Sequence, residues 1–499
     1  MRSRTLAGTT AVVLTFGLLA AACGSSAKKA DTGATTTKAS GAATTAAATT
    51  AAPTATTAAP ATTAAPAAKY GKTGATTYKG AGNFVVDTSK CPSDWNPTQG
   101  ITDKSIDLFI SLPKSGALAG FGLLADGANS YFKYINDNGG VGGRSINLTV
   151  KDDVYDPKQT KANSDEAIAA KKYAAFMTML GTPNNLAIWD DTNKECMPHL
   201  LNGSGASQWG DVDAHPWTTG MQLDYTTEAV LWAEWLKKQY PNGAKVAMLT
   251  YNNDFGKSYS KGFRTAAKGS KLEIVKEQFH EATAPNLTNE ITTLADTKAD
   301  VVLLQTTGAF CTQAMAELEK GAWHPVTIIS GTCGSLAQFF APLIKQNLTG
   351  KDTYIAQTFK DVNDPDPAVQ ADPFVQLFHA TAKAQGLDDK QSTYATGWIY
   401  GWFMNEILQN AAKYEGGLNR ANIMIAARSI TDTMPLALPG LTTKMDGLND
   451  AYLVEGGRIA QYKVTDPTKL GSFQKVTDVI DLNGKLGTYA KFNATAVSG

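Results

Sequence analysis

IDLFISLPKSGALAGFG (Ile106–Gly122) and INDNGGVGGRSINLTVKDDVYDPKQ (Ile135–Gln159) together lay out one β-α-β-α unit with a polar, glycine-bearing loop at its first turn. Ile106, Leu108 and Ile110 mark a short buried strand, and Lys114, Ser115 and Gly116 form the turn after it. Phe121, Leu124, Ala125, Ala128, Phe132 and Ile135 then recur at helical spacing and give one apolar stripe that can lie on a sheet. Gly139, Gly140, Gly142 and Gly143 end that helix. A second strand is expected over Ser145 to Val150, followed by a helix capped by Asp156, with Pro157 at its first position and Gln159 placed to close a capping box. Strand, helix, strand, helix implies a parallel α/β sheet with right-handed crossovers. Ligands of such sheets bind beyond the carboxyl ends of the strands.

The chain has 499 residues, enough for two domains after allowance for a tail. Its 45 basic and 45 acidic residues balance, so nothing favours nucleic acid as a partner. Arg2 and Arg4 precede an apolar run from Ala11 to Ala22, the pattern of an export signal. Residues 24–90 are expected to be a disordered tether, because Ala, Thr, Pro, Ser and Gly dominate its first part and cannot build a core.

Five cysteines divide into Cys23 and four others. Cys91, Cys196, Cys311 and Cys333 form an even set in an exported chain, where disulfides are permitted. Three pairings are open. Cys91 with Cys196 and Cys311 with Cys333 is favoured, since each pair stays within one half of the chain. None of these cysteines forms a CxxC pattern, so zinc is not expected.

The alternation continues with strands near Ala174–Leu180 and Met197–Leu201, each ending in a small polar loop: Gly181 to Asn185, and Asn202 to Ser207. A helix opens near Tyr225, with Ala229, Trp232, Ala233 and Leu236 on one face. From Lys245 the pattern restarts, with strands at 245–251, 272–279 and 301–304 and strand-end loops at Phe255, Thr306–Phe310 and Ser330–Gly334. A long helix carrying Tyr400, Phe403, Ile407 and Ala411 follows, then strand-like AYLVEG and RIAQYKV. Strands that late must join sheets already begun, so the chain is expected to cross between its halves more than once.

Asp152, Asp153 and Asp156 are read as strand-end solvation and a helix cap rather than a metal cluster. The five histidines show no i, i+4 pair, the GGVGG run does not meet the dinucleotide fingerprint, and no Gly-x-Ser-x-Gly elbow is present. No catalytic constellation and no cofactor are expected.

SGALAGFG, INDNGGVGGRSINL, KDDVYDPKQ and the later NNDFG resemble the extracytoplasmic substrate-binding proteins of branched-chain amino acid type ABC importers, the leucine-binding-protein-like type I periplasmic binding protein fold. The run ending at Cys23 resembles a bacterial lipobox, which implies a signal peptide over 1–23, a lipidated Cys23 and a membrane-anchored location at the cell surface or in the periplasm. The fold implied is two Rossmann-like lobes joined by a three-segment hinge, lobe 1 over 91–222 and 358–450 and lobe 2 over 223–357 and 451–499. The function implied is capture of a small polar solute, of the amino acid, amide or short carboxylate class, and its delivery to an ABC permease by a monomer that is not an enzyme. A sensory surface module on the same fold is the alternative, and a surface enzyme a remote one.

Carried over by position, the resemblance places ligand contacts at Ser115, Gly116 and Phe121 in the first loop, at Asn184 and Asn185, and at Gly205, Ala206 and Ser207; Trp209, directly after that last loop, reads as an aromatic wall or as a packing residue of the lobe. In the second lobe it places them at Phe255, where the family usually has tyrosine, at Thr307, Gly308 and Phe310, and at Thr332 and Cys333. Amino acid binders of the family carry an acid on the last of these loops. Here the loop reads Gly331, Thr332, Cys333, Gly334, and a buried ammonium without a counter-charge is costly.

Overall fold

The computed structural model describes residues 69–498. The export signal, Cys23 and most of the expected tether lie outside the described residues.

Lobe 1 is built on five parallel strands in the order Ser145–Asp152, Ser105–Leu112, Ala175–Met177, His199–Asn202, Thr218–Gly220. Ile106, Leu108, Ile110 and Leu112 are fully buried on one face of the central strand, and Phe109 is buried on the other. A strand covered on both sides is what parallel sheets require, because their crossover helices shield both faces. The helix Leu123–Asp137 packs against the long helix Ser392–Lys413, with Tyr131 edge-on to Trp398 at 5.1 Å. Their backbones touch. A Cβ on Gly127 would collide with the carbonyl oxygen of Tyr394, and one on Gly397 with that of Leu124.

Lobe 2 holds an eight-stranded sheet. Leu272–His280, Ala244–Tyr251, Val301–Gln305, Val326–Ile329 and Thr353–Gln357 run parallel in that order. Gly456–Lys463 and Ser472–Lys475 then add antiparallel strands at the edge, and Ile480–Asp481 pairs with the start of the former. The late strands do join a sheet begun two hundred residues earlier, although 451–455 is irregular and only the RIAQYKV run is a strand. The chain passes between the sheets after Gly220, after Gln357 and before Gly456, which makes the three-segment hinge. Cys91–Cys196 and Cys311–Cys333 are both bonded, with Cα separations of 5.6 and 5.7 Å.

Three expectations need correction. The tether does not extend to residue 90, because Gly71–Lys72, Thr77–Lys79 and Val85–Asp87 form a small antiparallel sheet. Tyr78, Phe84 and Val86 bury there, supplying the apolar groups that the Ala/Thr-rich stretch lacks. This sheet sits on lobe 1: Lys72 N–H donates to Glu415 O at 2.8 Å, Ala81 N–H to Ser429 Oγ at 3.0 Å, and the Arg428 guanidinium lies over the Phe84 ring. Second, Asp153 is not solvated. It is fully buried, and its carboxylate accepts from Ser111 Oγ and Thr160 Oγ1. Third, Asp156 caps Lys158 N–H as expected, but Gln159 turns to Asn163 and leaves the capping box open, the Asp156 N–H being taken by Asp153 O.

Candidate functional site

The strand ends of both sheets converge on one cavity of about 230 Å³. Lobe 1 contributes Leu118, Phe121 and Leu124 after its central strand, Leu180–Thr182 and Gly203 after the next two, and Ile399 and Tyr400 from the long helix. Lobe 2 contributes Phe255, Thr307, Gly331, Thr332 and Phe339 from its own strand-end loops and helices. The hinge adds Met221–Leu223 and the run from Ile355 to Val362. Most of these side chains are apolar.

The lobes touch across the cleft. Ala309 N–H donates to Ala117 O at 3.3 Å, Thr393 Oγ1 donates to Gln338 Oε1 at 2.5 Å, and Tyr155 stacks near Tyr251 with centroids 6.3 Å apart. Gly308 has φ +65°, and a Cβ there would press on Leu118, so the residue without a side chain is what lets the loops meet. Phe121 and Phe339 face each other from opposite lobes at 6.2 Å.

Of the residues expected to touch a ligand, Phe121, Phe255, Thr307 and Thr332 line the cavity. The structure gives the others different work. Ser115 Oγ donates to Asp152 beside Gly116 on an exposed turn. Asn184 donates to Thr160, and Asn185 donates to the Met179 and Gly181 carbonyls. Ser207 Oγ donates to Asp224, the N-cap of the helix Tyr225–Gln239, and Gly205 leaves room for Leu223 O and the Tyr225 ring. Ala206 and Trp209 are buried, the latter edge-on to Trp189 at 5.8 Å. Gly308 faces Leu118 as above, Phe310 packs on His280 at 4.5 Å, and Cys333 is spent on its disulfide. The short polar side chains at these strand ends thus bond within the protein, which spacing alone does not reveal.

Sequence reasoning missed one residue of consequence. Glu228 stands in the first turn of the helix Tyr225–Gln239, only 3% exposed, and lines the cavity. Its Oε1 accepts from Gly331 N–H and its Oε2 from the Tyr259 hydroxyl, both at 2.7 Å. Burial pushes its carboxyl up to about 8, against the lowering effect of those two donors. The signal in the sequence was an acid interrupting the apolar stripe of Tyr225, Ala229 and Trp232. It therefore sits beside the very loop, Gly331 to Gly334, from which an acid was missing.

The other charged residues at the cavity are Lys360 and Asp361. Lys360 Nζ is held by the Asp372 carboxylate and the Pro435 carbonyl. Asp361 accepts from Leu336 N–H, Asn363 N–H and Ser392 Oγ, and burial raises its pKa.

A family model described as periplasmic binding protein matches residues 110–466. A search of curated proteins finds no match. Among solved structures, the chain is similar to a fatty acid ABC transporter substrate-binding protein from Thermomonospora curvata, at 20% identity over 78% of this chain and 95% of that one, TM-score 0.64. It is similar also to a branched chain amino acid ABC transporter protein from Thermus thermophilus with bound valine, at 17% identity over 77% and 99% of the two chains, TM-score 0.67. A solute-binding protein from R. palustris in complex with benzoate shares 16% identity over 76% and 98%, TM-score 0.61. With 357 of 499 residues matched by the family model and the two-lobed fold in common, the chain belongs to the periplasmic binding protein family.

Proposed function

We propose that the chain is the solute-binding component of an ABC importer, held outside the cytoplasm by a lipid on Cys23, and that its lobes close on one small solute and present it to a permease. The observation that carries this reading is the cavity at the carboxyl ends of both sheets, walled by both lobes and by the hinge. Its wall favours a solute with an apolar body over the small polar solute that the resemblance implies. Structures of the same fold named for fatty acid transport or holding benzoate support this reading. Phe121 and Phe255 supply aromatic contacts in this reading, while Thr307 and Thr332 supply hydroxyls.

A thermal-shift panel of aliphatic and aromatic acids, amides, amines and amino acids tests it on the purified chain. A solute at about a hundred times its dissociation constant stabilises the chain by roughly 2.7 kcal/mol. Replacing Phe121 with Ala abolishes most of that shift. A panel in which no small solute moves the melting temperature, while a protein partner does, refutes the reading.

A further inference from the structure

The cavity offers an anion no free base. Three charged residues line it, and two of them are acids. The single base, Lys360, is already paired with Asp372. Three of the helix starts around the cavity, which elsewhere cradle carboxylates, are also occupied, while Ser392–Lys413 and the short helix Thr182–Leu186 carry no side-chain cap. Asp224 caps the helix Tyr225–Gln239 through Thr227 N–H, Ser335 Oγ takes Gln338 N–H, and Ala309 N–H, which opens the helix Ala309–Lys320, is spent on Ala117 O across the cleft.

The two acids differ. Asp361 receives donors on both oxygens from the backbone and from Ser392, and is saturated. Glu228 receives one donor on each oxygen and keeps a lone pair on each, in a cavity that Leu, Phe, Ile and Met side chains share with neutral Thr, Ser and Gln groups. An acceptor left in that position is costly unless something donates to it.

We infer that the solute is an amine on an apolar body, with no carboxylate, and that Glu228 receives its N–H donors. This rests on the solute-binding reading above and narrows it. Glu228 fixes the head, beside Gly331 and Tyr259, while Phe121, Phe255 and Phe339 enclose the body. The acid absent from the Gly331–Gly334 loop is in effect supplied from the neighbouring helix. The groups facing Glu228 are Asp224 and Tyr225 on its own helix and Tyr259 on the helix Asp254–Ala267, with no base among them. A solute ammonium is the one counter-charge the site then acquires. Amine binding displaces the proton that burial keeps on Glu228.

Three probes of one shape separate the classes: 2-phenylethylamine, phenylacetamide and phenylacetate, titrated into the full chain by calorimetry. The amine is expected to bind at least about tenfold more tightly than either analogue, a difference of about 1.4 kcal/mol. Its affinity is expected to rise from about pH 6 to about pH 8 as Glu228 gives up its proton. Glu228→Gln is expected to lose at least tenfold in amine affinity and to lose that pH dependence, and Tyr259→Phe serves as a milder second variant that retains the carboxyl. Equal or tighter binding of phenylacetate overturns the inference and leaves the solute-binding reading standing. Failure of all three probes overturns the inference as well, and failure of the wider solute panel is what brings down the transport reading.

Discussion

Asp153, Asp224 and Glu228 are carboxyls that the fold takes out of water, and burial raises the first two to about 6 and the third to about 8. A carboxyl whose pKa is higher folded than unfolded stabilises the fold while both states are protonated and loses that contribution as pH rises through the folded value. Without ligand, the melting temperature is therefore expected to fall between about pH 5 and about pH 8, the upper part of that fall belonging to Glu228 together with Glu455, which burial likewise raises to about 8. Glu228→Gln removes the titrating group but keeps an acceptor for Gly331 N–H. Melts of the variant are expected to decline less between about pH 6 and about pH 8 than those of the unmodified chain, and an equal decline would assign the effect elsewhere. None of this was legible beforehand. Asp153 reads as a solvated strand end because its partners, Ser111 and Thr160, are ordinary polar residues whose side chains converge only in the fold.

Most elements were legible, because buried strands and amphipathic helices repeat with periods of 2 and 3.6. The central strand of lobe 1 and the helix after it follow their apolar pattern from Ile106 to Ile135 almost residue for residue. What periodicity omits is the identity of the neighbour. Gly127 and Gly397 sit at one helix crossing, yet they are 270 residues apart in the chain, so neither explains the other until the two helices meet. Gly127→Ala is expected to cost about 1–3 kcal/mol by forcing the helices apart, read as a lower urea midpoint with an unchanged slope. The small sheet at 71–87 escaped notice for another reason: its strands are two or three residues long, too short to show alternation. The disulfides were easier, since each joins cysteines of one lobe. Loss of Cys91–Cys196 through Cys196→Ser is expected to lower stability by about 2–4 kcal/mol, measurable as a drop in melting temperature that reductant reproduces in the unmodified chain.

At the scale of the molecule, closure is held by few polar contacts. Thr393 to Gln338 and Ala309 to Ala117 are hydrogen bonds from one lobe to the other, and the Phe121–Phe339 pair is the apolar counterpart. Removing the Gln338 acceptor with Gln338→Ala is expected to weaken solute binding by about fivefold, the worth of one hydrogen bond of about 1 kcal/mol, chiefly through faster release. Scattering of the solute-bound variant would then show a larger radius of gyration, and unchanged release kinetics would place the latch in other contacts. The two-lobed plan itself could be read from the restart of the strand-helix pattern near Lys245. The cavity's chemistry could not, because it depends on which of many small polar side chains remain free once the internal hydrogen bonds have formed.

The small amino-terminal sheet gives the molecule a mount as well as a cap. It is hydrogen-bonded to Glu415 and Ser429, and just beyond it Cys91 is bonded to Cys196, all on lobe 1. Any load arriving along the chain from its amino terminus is thus carried into lobe 1 and never crosses the hinge. In the proposed reading, where the amino terminus is the anchor, lobe 1 is the fixed jaw and lobe 2, with Glu228 and Phe255, the one that moves.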